Sequence, residues 1–490
     1  MTVTATSIPP LQGFPPLYEF QQESLDHILK FRKTILADQQ GLGKTIVAGH
    51  LLEYLQHDEK PLERVLILGT RAAIMTWRRM CRQFWGFDPT VIVGGTPTER
   101  LQQWHQPGLL LSTHATFLRD FEQIPFRGRT KVRTWDVIIA DEVHRYLRNR
   151  NNKVHKELRR HTSDYTVLMT GTPAKRGGQD MFGYFNILRP EDFSSYWRFI
   201  ADHFEAERTA WGNEIIGLSD RKAFVKMIAD EGLMVRHTKG DPRIRAQLPP
   251  KIVQAIYVEA TPTQRSAYDR LQDDLFVTLN SGDFVFAPTQ LTAFIRLRQL
   301  LITPKIFGDT AENGAGLNWI ISDLTDRTDA GRHAVIYTLY RKAIPHIQKA
   351  LIDAGLNPSV IITGGMTVDQ LEEATQQFRN DPTSIAIVSL MAAESFELET
   401  ATHAYFLGFS GTAGTNEQAE DRLHRLITDH PINYYYVVHD GLVDDRIFDI
   451  LQTEYAEITA FVNTPERLQW LIGARSDPDA DADHGPKNSS

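Results

Sequence analysis

Residues 37 to 45 read ADQQGLGKT and stand between the apolar run TIL and a helical pattern. A loop at such a handover points several backbone N–H groups at one place, and the N-terminus of the following helix adds partial positive charge there. A polyphosphate fits that place. Gly41 and Gly43 allow backbone angles and a close approach that a Cβ would block. Lys44 is placed to reach the β and γ phosphates and the Thr45 hydroxyl to ligate magnesium, so that with Leu42 these residues form a candidate nucleotide-binding loop. Asp38 occupies the position where the strict G-x-x-x-x-G-K-S/T pattern asks for glycine. Taken alone, the string fits both a phosphate loop and a glycine-rich turn carrying a surface lysine.

A phosphate loop needs an acidic partner, and WDVIIADEVHRYLRN supplies one: the apolar run Val137 to Ala140 leads directly into Asp141 and Glu142. In a parallel sheet both carboxylates emerge at the carboxyl edge, where ligands bind in open α/β sheets. Asp141 is expected to hold the ion through water, and Glu142 to orient or deprotonate the attacking water. Acidic pairs at strand ends are also common helix caps. Loop and pair in this order, within one sheet, favour hydrolysis of a nucleoside triphosphate over either bland alternative. His155 and His161 stand at spacings that make no ligand set and are expected at the surface.

The elements that must position these residues are legible as alternation. From Thr34 to about Gly171, short β-rich runs (TILAD, RVLILGT, TVIVGG, LLLST, WDVIIADE, YTVLMTG) alternate with amphipathic segments, the pattern of parallel strands covered by helices. The same alternation resumes from about 315 to 465 with HAVIYTL, SVIIT, IAIVSL, AYFLGF and YYYVVHD. Between them lie longer helical patterns and the turn QLPPK. The expected organisation is a first α/β domain over 1–173, a helical insertion and linker over 174–310, a second α/β domain over 311–465, and a disordered acidic tail over 466–490.

Bulk properties narrow the class. The single cysteine, Cys81, excludes an internal disulfide and favours a reducing compartment. The start MTVTATSIPP lacks the features of a signal peptide, and no run is long and apolar enough to span a membrane. A cytoplasmic protein without membrane association is expected. The net charge of −8 argues against coating nucleic acid by bulk electrostatics. Eleven Lys and Arg against four acids between Arg127 and Arg160 fit either a groove that tracks a phosphate backbone or a solvated helix face.

DEVH at 141–144 followed by MTGTPAKRGGQDMFGYFNILRP resembles motifs II and III of superfamily-two helicase-like ATPases of the DEAD/DEAH-like group, and in particular Swi/Snf-type DNA translocases. LYEFQQESLDHIL is similar to the glutamine motif before the phosphate loop, which implies that Gln21 reads the adenine edge with Tyr18 or Phe20 nearby. ADQQGLGKT is similar to the family's phosphate loop, with Gln39 and Gln40 in place of its usual acidic and methionine pair. VLILGTRAAIMTWRRMCRQF and LLLSTHATFL resemble motifs Ia and Ib. MVRHTKGDPRIRAQLPPK, with Arg236 and Lys239, resembles the linker, HAVIYTLYRKAI motif IV, and EQAEDRLHRL motif VI. The stretch matching motif V, SLMAAESFELETA, carries Ala392, Ala393 and Ser395 where glycines are expected and Glu397 where asparagine is usual.

The resemblance covers residues 17 to 455 and implies two RecA-like parallel-sheet domains, ATP and magnesium as cofactors, and DNA as the track, duplex favoured and single strands possible. It implies that Arg422 and Arg425 reach the triphosphate, and that His144, Thr170, Thr172 and Gln418 couple nucleotide state to movement. A guanidinium delivered from a second domain stabilises the charged transition state only on closure, which ties hydrolysis to domain motion. The function implied is an ATP-dependent DNA translocase or helicase, with replication, recombination or repair proteins as partners. The alternatives are a nucleotide-gated clamp on nucleic acid and a motor subunit of a nuclease or restriction assembly.

Overall fold

The computed structural model describes residues 8, 11, 13–59, 61–124, 131–174, 178–209, 212–280, 287–308, 312–327, 332–395 and 398–452. The tail expected over 466–490, Glu397, Arg127 and Arg129 lie outside them. The chain divides into two compact units, Met1–Gln247 and Leu248–Ser490.

The first unit is built on strands β1 (Lys33–Leu36), β2 (Arg64–Gly69), β3 (Thr90–Ile92), β4 (Gly108–Thr113), β5 (Thr134–Ala140) and β6 (Thr162–Met169). A hairpin of β7 (Phe204–Thr209) and β8 (Gly212–Leu218) follows, then the two-residue β9 (Met234–Val235). The sheet order is β3-β4-β2-β5-β6-β1-β9, with every pair parallel. Val65 to Leu68 and Val137 to Ala140 are aliphatic on consecutive positions because helices cover both faces of their strands. Leu36 pairs with Met169 and Ala140 with Leu168. The carboxyl ends of β1, β6 and β5 therefore stand side by side at one height.

The second unit adds β10 (Lys251–Val258), β11 (Ala334–Thr338), β12 (Val360–Ile362), β13 (Ile385–Ser389), β14 (His403–Phe406) and β15 (Ile432–His439). Their order is β10-β15-β14-β11-β13-β12, again all parallel. Its core gathers Ile336, Ile387, Tyr405 and Val437 under Leu317, Ile347 and Leu351 of the covering helices. The α/β class with two parallel sheets is the architecture that the alternating pattern requires.

The structure divides the segment expected as an insertion over 174–310. Phe182, Phe185, Phe199, Phe204 and Phe224 join the first unit's core, and burying each such ring stabilises by roughly 1.5–3 kcal/mol. β9 then adds to the first sheet beside β1. β10 instead pairs along its whole length with β15 in the second unit. Helical periodicity in this stretch is genuine, but aromatic burial and strand pairing assign its two halves to different cores.

Candidate nucleotide site

β1 ends at Leu36, and residues 37–43 lead into the helix Lys44–Tyr54, whose Val47, Ala48, Leu51 and Leu52 are buried. Gly41 at φ 82 and Gly43 at φ 78 supply the left-handed backbone that turns the loop into the helix. A Cβ on Gly43 would also collide with the Gln21 amide. Gln21 is buried, donates through Nε2 to the Leu42 carbonyl at 3.0 Å, and accepts the Tyr18 N–H at 3.0 Å. Its amide thus braces the loop from the helix Glu19–Phe31. Tyr18 stacks on Phe20, ring centroids 6.0 Å apart. Lys44 donates through Nζ to the Asp38 carbonyl at 2.7 Å and the Gln39 carbonyl at 3.5 Å. Leu42 is fully buried, and Thr45 lies in the first turn of the helix, half-buried.

The acidic pair arrives from β5. Asp141 continues the ladder by donating its N–H to the Leu68 carbonyl at 2.7 Å, and its Oδ1 accepts the Glu142 N–H at 2.9 Å. Glu142 sits at φ 49, ψ 39, a left-handed conformation costing a side-chain-bearing residue roughly 1–2 kcal/mol. Strain of this kind persists where surrounding contacts over-determine it. Here they do: Gln40 Nε2 donates to Glu142 Oε1 at 3.2 Å, and His144 Nδ1 lies 3.2 Å from Glu142 Oε2. The loop after β1 and the acid after β5 therefore touch directly.

The end of β6 lies between them. The Thr170 N–H donates to the Leu36 carbonyl at 3.1 Å, its Oγ1 is 3.1 Å from His144 Nδ1, and it accepts the Thr172 N–H at 3.1 Å. His144, Thr170 and Thr172 are thus one hydrogen-bonded chain, whose His144 end lies within ion-pair distance of Glu142. Arg148 donates to the carbonyls of Thr172 and Pro173.

Several participants escaped sequence reasoning. His114, buried at the start of the helix His114–Phe121, donates to the Asp141 carbonyl at 2.8 Å, and burial pushes its pKa down to about 4. It acts as a neutral donor fixing the backbone under the acid. Asp38 is fully buried and held by Ser24 and His237, the latter 199 positions away. No spacing rule could have paired them. His155 and His161, expected at the surface, are buried instead, and desolvation lowers each to about 4. His155 faces the Gly183 carbonyl at 3.1 Å and His161 accepts from the Trp135 indole at 3.0 Å, so each fills a packing position. Arg133 of the basic stretch is also internal, pairing with Glu157 at 3.0 Å.

Gln418, Arg422 and Arg425 belong to the second unit and are half-buried. Gln418 lies in the helix Ala413–Glu420, and the arginines follow it in a run of turns. Glu420 anchors that junction. It accepts from Lys251 Nζ at 2.6 Å and the Tyr436 hydroxyl at 2.9 Å, while the Tyr434 hydroxyl donates to its carbonyl at 2.8 Å. The Tyr337 hydroxyl donates to the Ala419 carbonyl at 3.0 Å. Burial opposes the charge on Lys251, yet the Glu420 carboxylate outweighs it and holds the lysine above its ordinary pKa. Three tyrosines and a lysine from the sheet thus fix the backbone that carries Arg422 and Arg425. In the stretch that resembles motif V, Ala392 is buried within the short helical stretch Leu390–Ser395.

Among the described residues no cluster of three or more His, Cys, Asp or Glu could hold a metal, and no helix is long and apolar enough to cross a membrane.

A family profile described as the SNF2-related domain matches residues 20–306. Among curated proteins the chain is similar to an uncharacterised ATP-dependent helicase of Mycoplasma genitalium, 21% identical over 426 residues, covering 85% of this chain and 39% of the relative. It is also similar to an ISWI chromatin-remodeling complex ATPase of Arabidopsis thaliana, 24% identical over 459 residues, covering 88% and 41%. The chain thus spans about two fifths of the length of these relatives. Among solved structures, the Sulfolobus solfataricus SWI2/SNF2 ATPase core in complex with dsDNA aligns with 19% identity and a TM-score of 0.42, covering 96% of this chain and 100% of that one.

Proposed function

The chain belongs to the SNF2-related domain family, and from that premise we propose that it hydrolyses ATP and couples turnover to movement along DNA, with the duplex as the favoured track. The observation that carries this reading is the convergence at one sheet edge of the phosphate loop and the acid: Gln40 joins Glu142 at 3.2 Å while Lys44 folds over the carbonyls of the same loop. The names of the relatives, an ATP-dependent helicase and a chromatin-remodeling ATPase, support it.

Within this reading each residue has a task. Lys44 exchanges its two carbonyl partners for phosphate oxygens, and the first-turn N–H groups at Gly43 to Thr45 receive the remaining charge. The Thr45 hydroxyl and the Asp141 carboxylate are hard oxygen donors of the kind magnesium prefers. Magnesium, when bound, neutralises charge on the phosphate oxygens. Glu142 accepts the proton of the attacking water, with His144 and Thr170 reporting its state to the segment after β6. Arg422 and Arg425 contribute from the second unit on closure, so that each turnover is tied to a domain movement.

Phosphate release measured with duplex DNA, single-stranded DNA, RNA and no polymer tests the reading. Duplex DNA is expected to stimulate turnover at least about tenfold, and Lys44→Ala to remove it. Equal rates with and without polymer would remove the translocase reading, and DNA binding gated by ATP without turnover would establish the clamp instead. Replication, recombination or repair proteins remain the proposed partners.

A further inference from the structure

The phosphate loop is held from outside as well as from within. The segment after β9 continues its parallel ladder beside β1 into the loop: the N–H groups of Ile35, Ala37 and Gln39 donate to the carbonyls of Leu233, Val235 and His237 at 2.9, 2.8 and 2.9 Å. Lys239 N–H returns a bond to Gln39 Oε1 at 2.9 Å. His237 stands where this ladder ends.

Both ring nitrogens of His237 face carboxylates. Nδ1 is 2.9 Å from Asp38 Oδ1, and Nε2 is 3.0 Å from Glu23 Oε2. A neutral imidazole carries one N–H and one lone pair, so it can satisfy one of these carboxylates and must set its lone pair against the other. Only the imidazolium donates to both. The remaining neighbours are consistent with that charge. Asp38 Oδ1 also accepts the His237 N–H at 2.7 Å, Ser24 donates to Asp38 Oδ2 at 2.9 Å, and the Phe20 ring lies edge-on at 5.6 Å. Arg243 pairs with Glu23 at 3.0 Å and with Asp241 at 3.1 Å. Arg236 and Lys44 direct their charges to backbone carbonyls of Ala37 and Asp38.

We propose that His237 is a positioning residue for nucleotide binding: as an imidazolium it ties the phosphate loop through Asp38, and the first helix through Glu23, to the segment that ends the first unit at Gln247. The proposal rests on the reading of residues 41–45 as the nucleotide loop. The residue clamped by His237 is the one whose carbonyl receives Lys44, so losing one of the two carboxylate bonds loosens the loop that presents the lysine while the backbone ladder remains. A protonation event at His237 thus acts on nucleotide affinity through Asp38.

The sign of the pH effect follows from the contacts. The Asp38 hydrogen bond raises the imidazole above its ordinary 6.5 against the opposing effect of burial, with Glu23 adding to the rise. The bridge is at full strength below 6.5 and is lost as pH rises through the elevated value.

The test uses the full chain and two readouts: the dissociation constant of a fluorescent ATP analogue between about pH 6 and pH 9, and the His237 titration followed by NMR, assigned with His237→Gln. The dissociation constant is expected to rise about tenfold across that range. His237→Arg, charged throughout, flattens the profile, and Glu23→Gln, an exposed change that leaves the Asp38 contact, lowers the His237 pKa and shifts the profile to lower pH. A His237 pKa at or below the ordinary value, or a profile that His237→Arg leaves unchanged, overturns the proposal. If the NMR titration is elevated as expected but the native chain binds no nucleotide at any pH, the nucleotide-loop reading has failed, and this proposal falls with it while the bridge stands.

Discussion

Replacing Glu142 with glutamine is expected to lower ATP turnover by about a thousandfold while nucleotide affinity stays within about threefold. The substitution keeps the side chain's shape and its ability to accept from Gln40, so the left-handed turn at φ 49 retains its support. What it removes is the carboxylate proposed to take the proton of the attacking water. Steady-state phosphate release, paired with analogue binding on the same preparation, separates the two effects. Equal loss of binding and turnover would mean that Glu142 shapes the pocket; unchanged turnover would remove it from the chemistry. The strain itself is informative. A residue with a Cβ is kept in a conformation natural to glycine, and Gln40, His144 and the Asp141 carboxylate all engage it there.

Arg425→Ala and Arg422→Ala are each expected to lower kcat on the order of a thousandfold with little change in ATP affinity in the absence of DNA. Charge on the transferring phosphoryl group is redistributed in the transition state, and a cation brought in only on closure acts there, on rate rather than on ground-state binding. Lysine at these positions keeps the charge and loses the planar fork, and an intermediate rate is expected from it. Rates within about threefold of the native chain in the alanine variants would mean that the arginines serve the second unit's own packing. Glu420 fixes the preceding backbone through Lys251 and Tyr436.

The parts of this architecture that were legible in the sequence are those set by local pattern. Aliphatic runs such as RVLILG and DVIIA announce strands buried on both faces, and their alternation with helices announces parallel sheets. Gly41, Gly43, Lys44 and the Asp141–Glu142 pair were expected at strand ends, and they follow β1 and β5 there. What was hidden depends on pairing between distant segments. The division of 174–310 between two cores turns on β9 joining β1 and β10 joining β15, which no local periodicity records. His114 and His237 were hidden for the same reason, since each acts on a backbone or carboxylate supplied by another element. Gln40 was visible as a departure from the family's phosphate loop, but its contact with Glu142 was not.

Movement along DNA is the claim on which the functional reading stands, and displacement of a third strand from a triplex site on duplex DNA measures it most directly. The native chain with ATP is expected to release the third strand, and Glu142→Gln is expected to leave it in place. DNA-stimulated ATP turnover without displacement, whichever end of the duplex the site lies nearest, would contradict it.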